Sequence, residues 1–158
     1  MKKTITVFLV ILLAAANTSC LEEECDQSLR NLAGFAFYTT EEGTLVDSVI
    51  PDLSVYSVSR PDTLLYDSLD RAAVYLPLDP ASNQTRFVFV VDSVPDTVSI
   101  EYTREQEFVS HACGFITRFQ ITQTRVSDFH FDSIKTINTS VTLNENEKHF
   151  HLSLSPTD

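Results

Sequence analysis

The chain has 158 residues, of which 43% are hydrophobic, and its 22 acidic against 11 basic side chains give a formal net charge of −11. This length and hydrophobic content are typical of one globular domain. The excess of acidic residues argues against nucleic acids and anionic lipid surfaces as partners, because both bind clustered lysine and arginine.

The first 19 residues have the pattern of a signal peptide. Lys2 and Lys3 precede the run 5–16, which is apolar except for one threonine. A helix needs roughly 20 apolar residues to span a bilayer, so this run is too short for a transmembrane segment. It has the length and flanks of a signal-peptide core instead. We therefore predict that residues 1–19 direct export and are then removed.

Small residues lead directly to a cysteine at the end of this segment. The sequence Asn17-Thr18-Ser19-Cys20 resembles a lipobox, in which the cysteine thiol receives a diacylglyceryl group and becomes the mature N-terminus. The alternative is an ordinary signal peptide cleaved near Ala16, with Cys20 left as an unmodified thiol. Buried acyl chains contribute about 0.8 kcal/mol per CH₂, so several chains would give stable anchoring without a transmembrane helix.

An acidic cluster, Glu22–Glu24, begins two residues after Cys20. It resembles the signal that sends lipoproteins of Bacteroidota to the outer leaflet of the outer membrane. The alternative is a solvated acidic linker between lipid and domain. We predict an outer-membrane lipoprotein at the cell surface, with the periplasmic face as the alternative.

Period-two alternation runs through the chain after an acidic tether at 20–30. Eight hydrophobic runs are separated by Pro, Asp and Asn turns, and they begin near residues 35, 53, 74, 87, 98, 115, 141 and 150. Phe115, Phe119 and Ile121 are predicted to share one face of a strand, and only 64–74 would accommodate a turn of helix. This pattern predicts a single all-β domain over 31–158, an antiparallel β-sandwich of about eight strands with immunoglobulin-like or similar Greek-key connections.

Two cysteines remain once Cys20 carries lipid. In an oxidising envelope, Cys25 and Cys113 are expected to form a disulfide that joins the tether to the domain. The alternative is a catalytic thiol at Cys113, because His111 lies two residues away and would share its face of a strand.

A metal site is the sharpest chemical hypothesis. Alternating side chains on two segments would converge if the segments were neighbouring strands, and the ligands would then be Asp128, His130, Asp132, His149 and His151. The alternative is that the intervening Phe and Leu side chains face the core while these five residues face water.

Six of the aspartates begin a triplet of Asp, then Ser or Thr, then an aliphatic residue. This triplet is similar to the O-glycosylation motif of Bacteroidota envelope proteins, and its acceptors would be Ser48, Thr63, Ser68, Ser93, Thr97 and Ser133. The alternative is that an Asp turn followed by β-forming residues generates the same triplets at the start of strands.

Catalytic patterns are absent from the sequence. Three glycines leave no phosphate-binding loop or nucleophile elbow. Glu101, Glu105 and Glu107 supply carboxylates, but nothing in the sequence marks one of them as desolvated in a cleft. We therefore predict a protein that is not an enzyme and needs no cofactor.

The stretch from Val98 to Phe119 resembles an uncharacterised family of small Bacteroidota envelope lipoproteins. The similar residues are Ser99-Ile100-Glu101-Tyr102-Thr103-Arg104 and Phe108-Val109-Ser110-His111-Ala112-Cys113-Gly114-Phe115. The resemblance implies a lipid cysteine, a second cysteine soon after it that pairs with Cys113, and an envelope location. It implies no activity. His111 departs from the pattern, in which an arginine is more usual at this position.

Two structural roles are expected within this stretch. Tyr102 is expected to place its ring in the core with its hydroxyl at the rim, and Arg104 to pair with an acidic residue of the tether.

Three hypotheses about function remain. The first is a non-catalytic binding or envelope-assembly module. The second is a divalent-metal-binding or sensing domain that uses the five residues above. The third is a glycan-binding accessory module that uses exposed tyrosines such as Tyr38, Tyr56 and Tyr66.

Overall fold

A computed structural model describes residues 25, 30–127, 129–143 and 146–154. The predicted signal peptide, Cys20 and the cluster Glu22–Glu24 lie outside the described residues. Within the described part of the chain, no helix has the length and apolar character needed to cross a membrane.

The described residues form eleven strands: β1 (Leu32–Glu41), β2 (Thr44–Asp47), β3 (Ile50–Ser57), β4 (Arg60–Arg71), β5 (Ala73–Pro77), β6 (Gln84–Val91), β7 (Val94–Ser110), β8 (Gly114–Val126), β9 (Phe131–Thr136), β10 (Ser140–Val141) and β11 (Lys148–Leu154). The predicted all-β class is confirmed, although the number of strands exceeds the expected eight. The turn of helix allowed within 64–74 is wrong, because these residues belong to β4 and β5.

The strands are arranged in two sheets. The first sheet has the order β2-β1-β11-β9, and β5 also pairs with β1, while the second has the order β10-β8-β7-β6-β3-β4. The pairing of β1 with β11 is parallel, and the other described pairs are antiparallel. The architecture is therefore a β-sandwich, as the alternation predicts.

Aromatic rings from both sheets fill the core. Phe35 packs against Phe150 of its own sheet at 4.8 Å between centroids and against Phe89 of the facing sheet at 5.6 Å. Phe37 and Phe131 stack at 5.9 Å. All five rings are fully buried, and aromatic contacts of this kind contribute about 0.5–1.5 kcal/mol beyond the burial of area.

The longest element is the hairpin formed by β7 and β8. It pairs from Val98 opposite Val126 to Ser110 opposite Gly114. Its two ends lie roughly 40 Å apart at about 3.3 Å per residue. We call the end at Ser110–Gly114 the tether end and the end at Asp96 the far end.

Candidate functional site: an apolar cleft at the tether end

A disulfide fixes the tether end. Cys25 and Cys113 are bonded with a Cα–Cα distance of 4.9 Å, which confirms the predicted pairing. Gly114 has a φ of 72°, a left-handed value that glycine adopts at no steric cost, so the chain can turn directly into β8. Because the sulfur of Cys113 is bonded, it offers no free thiolate, and this geometry argues against the alternative of a nucleophilic Cys113.

Two phenylalanine rings are exposed beside this disulfide. Phe108 is 49% exposed and Phe115 is 66% exposed. Their centroids lie 5.3 Å apart, and the ring of His111 lies 5.4 Å from that of Phe108. We call these three residues the aromatic tip.

Phe115 and Phe119, which are predicted to share a strand face, differ in burial: Phe115 is 66% exposed and Phe119 is buried. The hairpin extends past the start of β1, where Asn31 donates from Nδ2 to the carbonyl oxygen of Thr117. Phe115 therefore lies beyond the facing sheet, and its ring meets solvent.

An apolar cleft of about 560 Å³ opens beside the aromatic tip. The start of β1, the edge strand β4, the end of β5 and the first part of β8 form its walls. The lining residues are Arg30, Asn31, Leu32, Leu65, Tyr66, Tyr75, Pro77, Leu78, Pro80, Phe115, Ile116, Thr117 and Phe119. A second cleft of about 250 Å³ shares Leu65, Pro77, Leu78 and Pro80 with it. The volume and apolar lining are those of small-molecule sites.

One wall is held by two tyrosines. The backbone N–H of Tyr75 donates to the hydroxyl oxygen of Tyr66 at 3.1 Å, which joins β5 to the edge strand β4 across the gap between the sheets. The Tyr75 hydroxyl donates to the carbonyl oxygen of Asn146 at 3.4 Å. Both rings therefore have fixed positions at the cleft.

A buried hydrogen-bond network supports the cleft near Pro80. Tyr102 is 2% exposed, its ring packs 5.1 Å from Phe119, and its hydroxyl donates to the carbonyl oxygen of Asp79 at 2.9 Å. Thr85 lies 2.6 Å from the same hydroxyl and accepts from the Asp79 backbone N–H. Burial raises the pKa of Tyr102. The expected core position of its ring is confirmed.

Arg104 holds the turn at the edge of the cleft. It donates from Nε to Oδ1 of Asn83 at 2.8 Å and also donates to the carbonyl oxygen of Pro80. The acidic residues of the tether, Glu22–Glu24 and Asp26, lie outside the described residues, so the expected pairing stays a prediction. Arg104 fixes the turn that carries Pro80 into the cleft wall.

Asn31 supplies a polar group in the cleft. Its amide orientation is set by the bond from Nδ2 to Thr117, which leaves Oδ1 buried with no hydrogen-bond partner among the described residues. A buried amide oxygen without a donor costs about 1–3 kcal/mol. Asn31 lines the cleft, and a ligand with an N–H or O–H group would remove that cost on reaching this oxygen, which the surrounding atoms enclose. Asn31 was missed in the sequence because nothing there shows which asparagine becomes buried.

The far end holds a buried carboxylate that sequence analysis also missed. Asp96 is fully buried, and it accepts from the Ser127 hydroxyl and from the backbone N–H groups of Phe129, His130 and Phe131. Burial raises the pKa of Asp96, but these four hydrogen bonds outweigh it and lower the pKa below its usual value. The carboxylate thereby fastens the β8–β9 connection to β7.

The metal-ligand candidates that the structure describes, His130, Asp132, His149 and His151, do not form a metal site. Strands β9 and β11 are neighbours, as the hypothesis needs, but the register places His151 opposite Lys135, with β11 running antiparallel to β9. No group of three or more His, Cys, Asp or Glu side chains with metal-binding geometry occurs in the part of the chain that the structure describes. Asp128 lies outside the described residues. Asp132 is exposed and accepts a hydrogen bond from the Ser133 hydroxyl.

His149 is fully buried, so for this residue the alternative to the metal site, that the five candidates face water, is wrong. Its Nδ1 accepts from the Gly34 backbone N–H at 3.0 Å, so Nε2 carries the proton, and Nε2 lies 4.0 Å from a carboxylate oxygen of Glu147. Burial lowers the pKa of His149. A Cβ at Gly34 would collide with the carbonyl oxygen of Glu147, so the outer face of the first sheet is covered here.

The other histidines have separate surroundings. The ring of His151 packs 4.2 Å from that of Tyr38, and burial, together with nearby Lys148 and Lys135, lowers its pKa. His130 is partly buried, and its Nε2 has no hydrogen-bond partner among the described atoms.

The six predicted glycosylation acceptors differ in accessibility. Thr97 is half-buried, and its backbone N–H donates to Ser127 in the connection held by Asp96. The structural role of Asp96 and Thr97 in holding this connection therefore accounts for the triplet Asp96-Thr97-Val98 without glycosylation. Ser48 is half-buried, and the remaining acceptors are exposed: Thr63, Ser68, Ser93 and Ser133. Modification of these residues stays a prediction.

The candidate glycan-binding tyrosines and the candidate carboxylates do not come together in a common site. Tyr38, Tyr56 and Tyr66 are all half-buried, but of the three only Tyr66 lines the cleft. The carboxylates Glu101 and Glu107 pair with arginines of β8 at the surface, and Glu105 is exposed.

Comparison with known proteins assigns a family. The family of unknown function DUF6452 matches residues 52–154, and the chain belongs to it. The match begins within β3, so it includes Cys113 and excludes Cys25. No curated protein and no solved structure matches the chain.

Proposed function

We propose that this member of DUF6452 is a non-catalytic, lipid-anchored binding module of the outer membrane, and that the cleft at the tether end is its ligand site. The carrying observation is the cleft itself, with its apolar walls and the unpaired Oδ1 of Asn31. Apolar surface supplies affinity, and one oriented polar group fixes the position of a ligand.

The ligand class follows from this lining. Apolar and aromatic side chains favour a ligand with a flat or aliphatic body, and Oδ1 of Asn31 favours one with an N–H or O–H donor. The exposed Arg30 at the rim would accommodate an anionic group. The strongly acidic surface disfavours nucleic acid.

A sugar ring is the second candidate ligand, favoured by the aromatic rings of Tyr66 and Tyr75 in the cleft. Sugars carry several hydroxyl donors and one apolar face. A glycan-array screen of the full chain tests this candidate, and binding that survives substitution of Tyr66 by Ala would contradict a role for the cleft in it.

A neutral aromatic probe tests the cleft directly. N-phenyl-1-naphthylamine has two apolar ring systems and one N–H donor, and its fluorescence rises in apolar sites. Leu65 and Leu64 are consecutive in β4 and are 38% and 48% exposed, but only Leu65 lines the cleft. We expect saturable binding by the wild-type protein and by Leu64→Arg, and a loss of binding in Leu65→Arg. Equal binding by all three proteins would contradict the proposed site.

Metabolic labelling tests the anchor. Cells supplied with an alkyne-tagged fatty acid are expected to label the wild-type chain and to leave Cys20→Ala unlabelled and in the soluble fraction. Protease treatment of intact and lysed cells then identifies the leaflet, and cleavage on intact cells is the expected result. Equal labelling of both chains would contradict lipidation at Cys20.

A further inference from the structure

The aromatic tip is unlike the rest of the hairpin surface. Phe108 and Phe115 expose large apolar rings at its turn, whereas the strand positions behind them carry exposed charged side chains such as Glu105 and Arg118. Arg118 pairs with Glu107 and so neutralises two of the charges nearest to the tip, while Glu105 stays exposed two residues further back along β7. The tip itself presents an apolar end to its surroundings.

The disulfide limits how far this tip can lie from a membrane. Cys25 is five residues after Cys20, a separation that an extended chain spans with at most about 18 Å. The bond to Cys113 adds 4.9 Å between Cα atoms. If Cys20 carries lipid, the tip lies near the bilayer, while the far end lies roughly 40 Å further along the hairpin.

We infer that the aromatic tip rests in the interfacial region of the membrane and orients the sandwich. This inference rests on the proposed anchor at Cys20. Apolar rings that enter the boundary between headgroups and acyl chains gain roughly 25 cal/mol per Å² of area removed from water. The resulting orientation places the cleft next to the membrane, because Phe115 forms part of its wall.

The chain is suited to a fluorescence test because it contains no tryptophan. The variants Phe115→Trp and Phe108→Trp each place a single tryptophan at the tip. Phe129→Trp is the matched control, since Phe129 is 65% exposed at the far end. Each lipidated full-length variant is reconstituted into phosphatidylcholine vesicles with and without brominated acyl chains, which quench tryptophan at short range.

We expect brominated lipid to quench both tip tryptophans and to shift their emission to shorter wavelength, while the control stays unquenched. Flotation of the vesicles reports the anchor separately. If all variants float but neither tip tryptophan is quenched, the inference is wrong and the anchor stands. If no variant floats, the anchor fails and the inference fails with it. Equal quenching of the control would also contradict the orientation.

Discussion

The two ends of the β7–β8 hairpin are closed in different ways. The far end is closed by a buried carboxylate, Asp96, whose four hydrogen-bond donors all belong to the chain itself. The tether end is closed by one covalent bond, and beside it lie exposed rings, a cleft and the unpaired oxygen of Asn31. The far end also carries an exposed ring, Phe129, and a buried Nε2 of His130 without a hydrogen-bond partner among the described atoms. The feature that distinguishes the tether end is therefore its apolar cleft, which is suited to bind a ligand.

Removing the disulfide is expected to have the largest effect on stability. In Cys25→Ser/Cys113→Ser the unfolded chain regains the freedom of a loop with a sequence separation of 88. The chain-entropy model then gives a loss of about 4–5 kcal/mol in the free energy of unfolding. Urea unfolding measures this loss, and reduced wild-type protein is expected to reproduce it. A loss below about 1 kcal/mol would show that the tether end is closed by other contacts.

The next largest effect is expected at Asp96. The variant Asp96→Asn keeps one acceptor oxygen but removes the negative charge. It also turns an amide N–H₂ group toward the backbone N–H donors of 129–131. We expect a loss of about 2–4 kcal/mol in the free energy of unfolding. The control Asp62→Asn, on the exposed edge strand β4, is expected to stay within about 0.5 kcal/mol of wild type. Similar values for the two variants would remove the distinction between a supporting end and a binding end.

The pH dependence of stability separates Asp96 at the far end from His149, which is buried in the first sheet. The pKa of His149 is lowered in the folded protein, so its stabilisation is present above the unfolded value of about 6.5 and is lost as pH falls through the folded pKa. The pKa of Asp96 is also lowered, so its contribution is lost only below about 3.9.

The variant His149→Asn retains an acceptor for the Gly34 N–H. It tests whether His149 causes the loss of stability between pH 7 and pH 5. Urea unfolding between pH 7 and pH 5 is expected to show a flatter slope than in wild type, by at most about 1.4 kcal/mol per pH unit. His151 also has a lowered pKa, so the double variant with His151→Asn is expected to be flatter still. An unchanged slope would mean that His149 is not held neutral.

The smallest expected effect concerns ligand affinity. Asn31→Ala removes the amide oxygen from the cleft, and one hydrogen bond is worth about 0.5–1.5 kcal/mol. The affinity for N-phenyl-1-naphthylamine is therefore expected to fall roughly three- to tenfold. Fluorescence titration measures this change, with thermal unfolding as the check on the fold. Unchanged affinity would place the probe elsewhere in the cleft.

Periodicity predicted the core and the fold class. Phe35, Phe37, Phe150 and Leu152 are buried as their alternation indicates, and Phe87 is buried as part of the continuous apolar run 87–91. The edge strand β4 was not predicted, because an edge strand that is exposed along most of its length has no buried face to produce alternation.

Long-range pairing accounts for what the sequence leaves undetermined. Asp96 resembles any turn aspartate until the β8–β9 connection and the start of β9 bring three backbone N–H groups to it. His149 resembles an outward-facing residue of β11 until the segment before that strand covers it. The cleft forms because β1, β4, β5 and β8 come together at the tether end. No local sequence pattern predicts that these four strands are neighbours there.

Hydrogen–deuterium exchange tests most directly the claim that the tether end is the end that contacts the membrane and binds ligand. The lipidated chain on phosphatidylcholine vesicles is compared with the full-length Cys20→Ala chain in solution. The account predicts slower exchange on vesicles for peptides covering 107–117 and unchanged exchange for those covering 94–98 at the far end. Equal exchange at the tether end in both samples, or slowing at the far end alone, would contradict it.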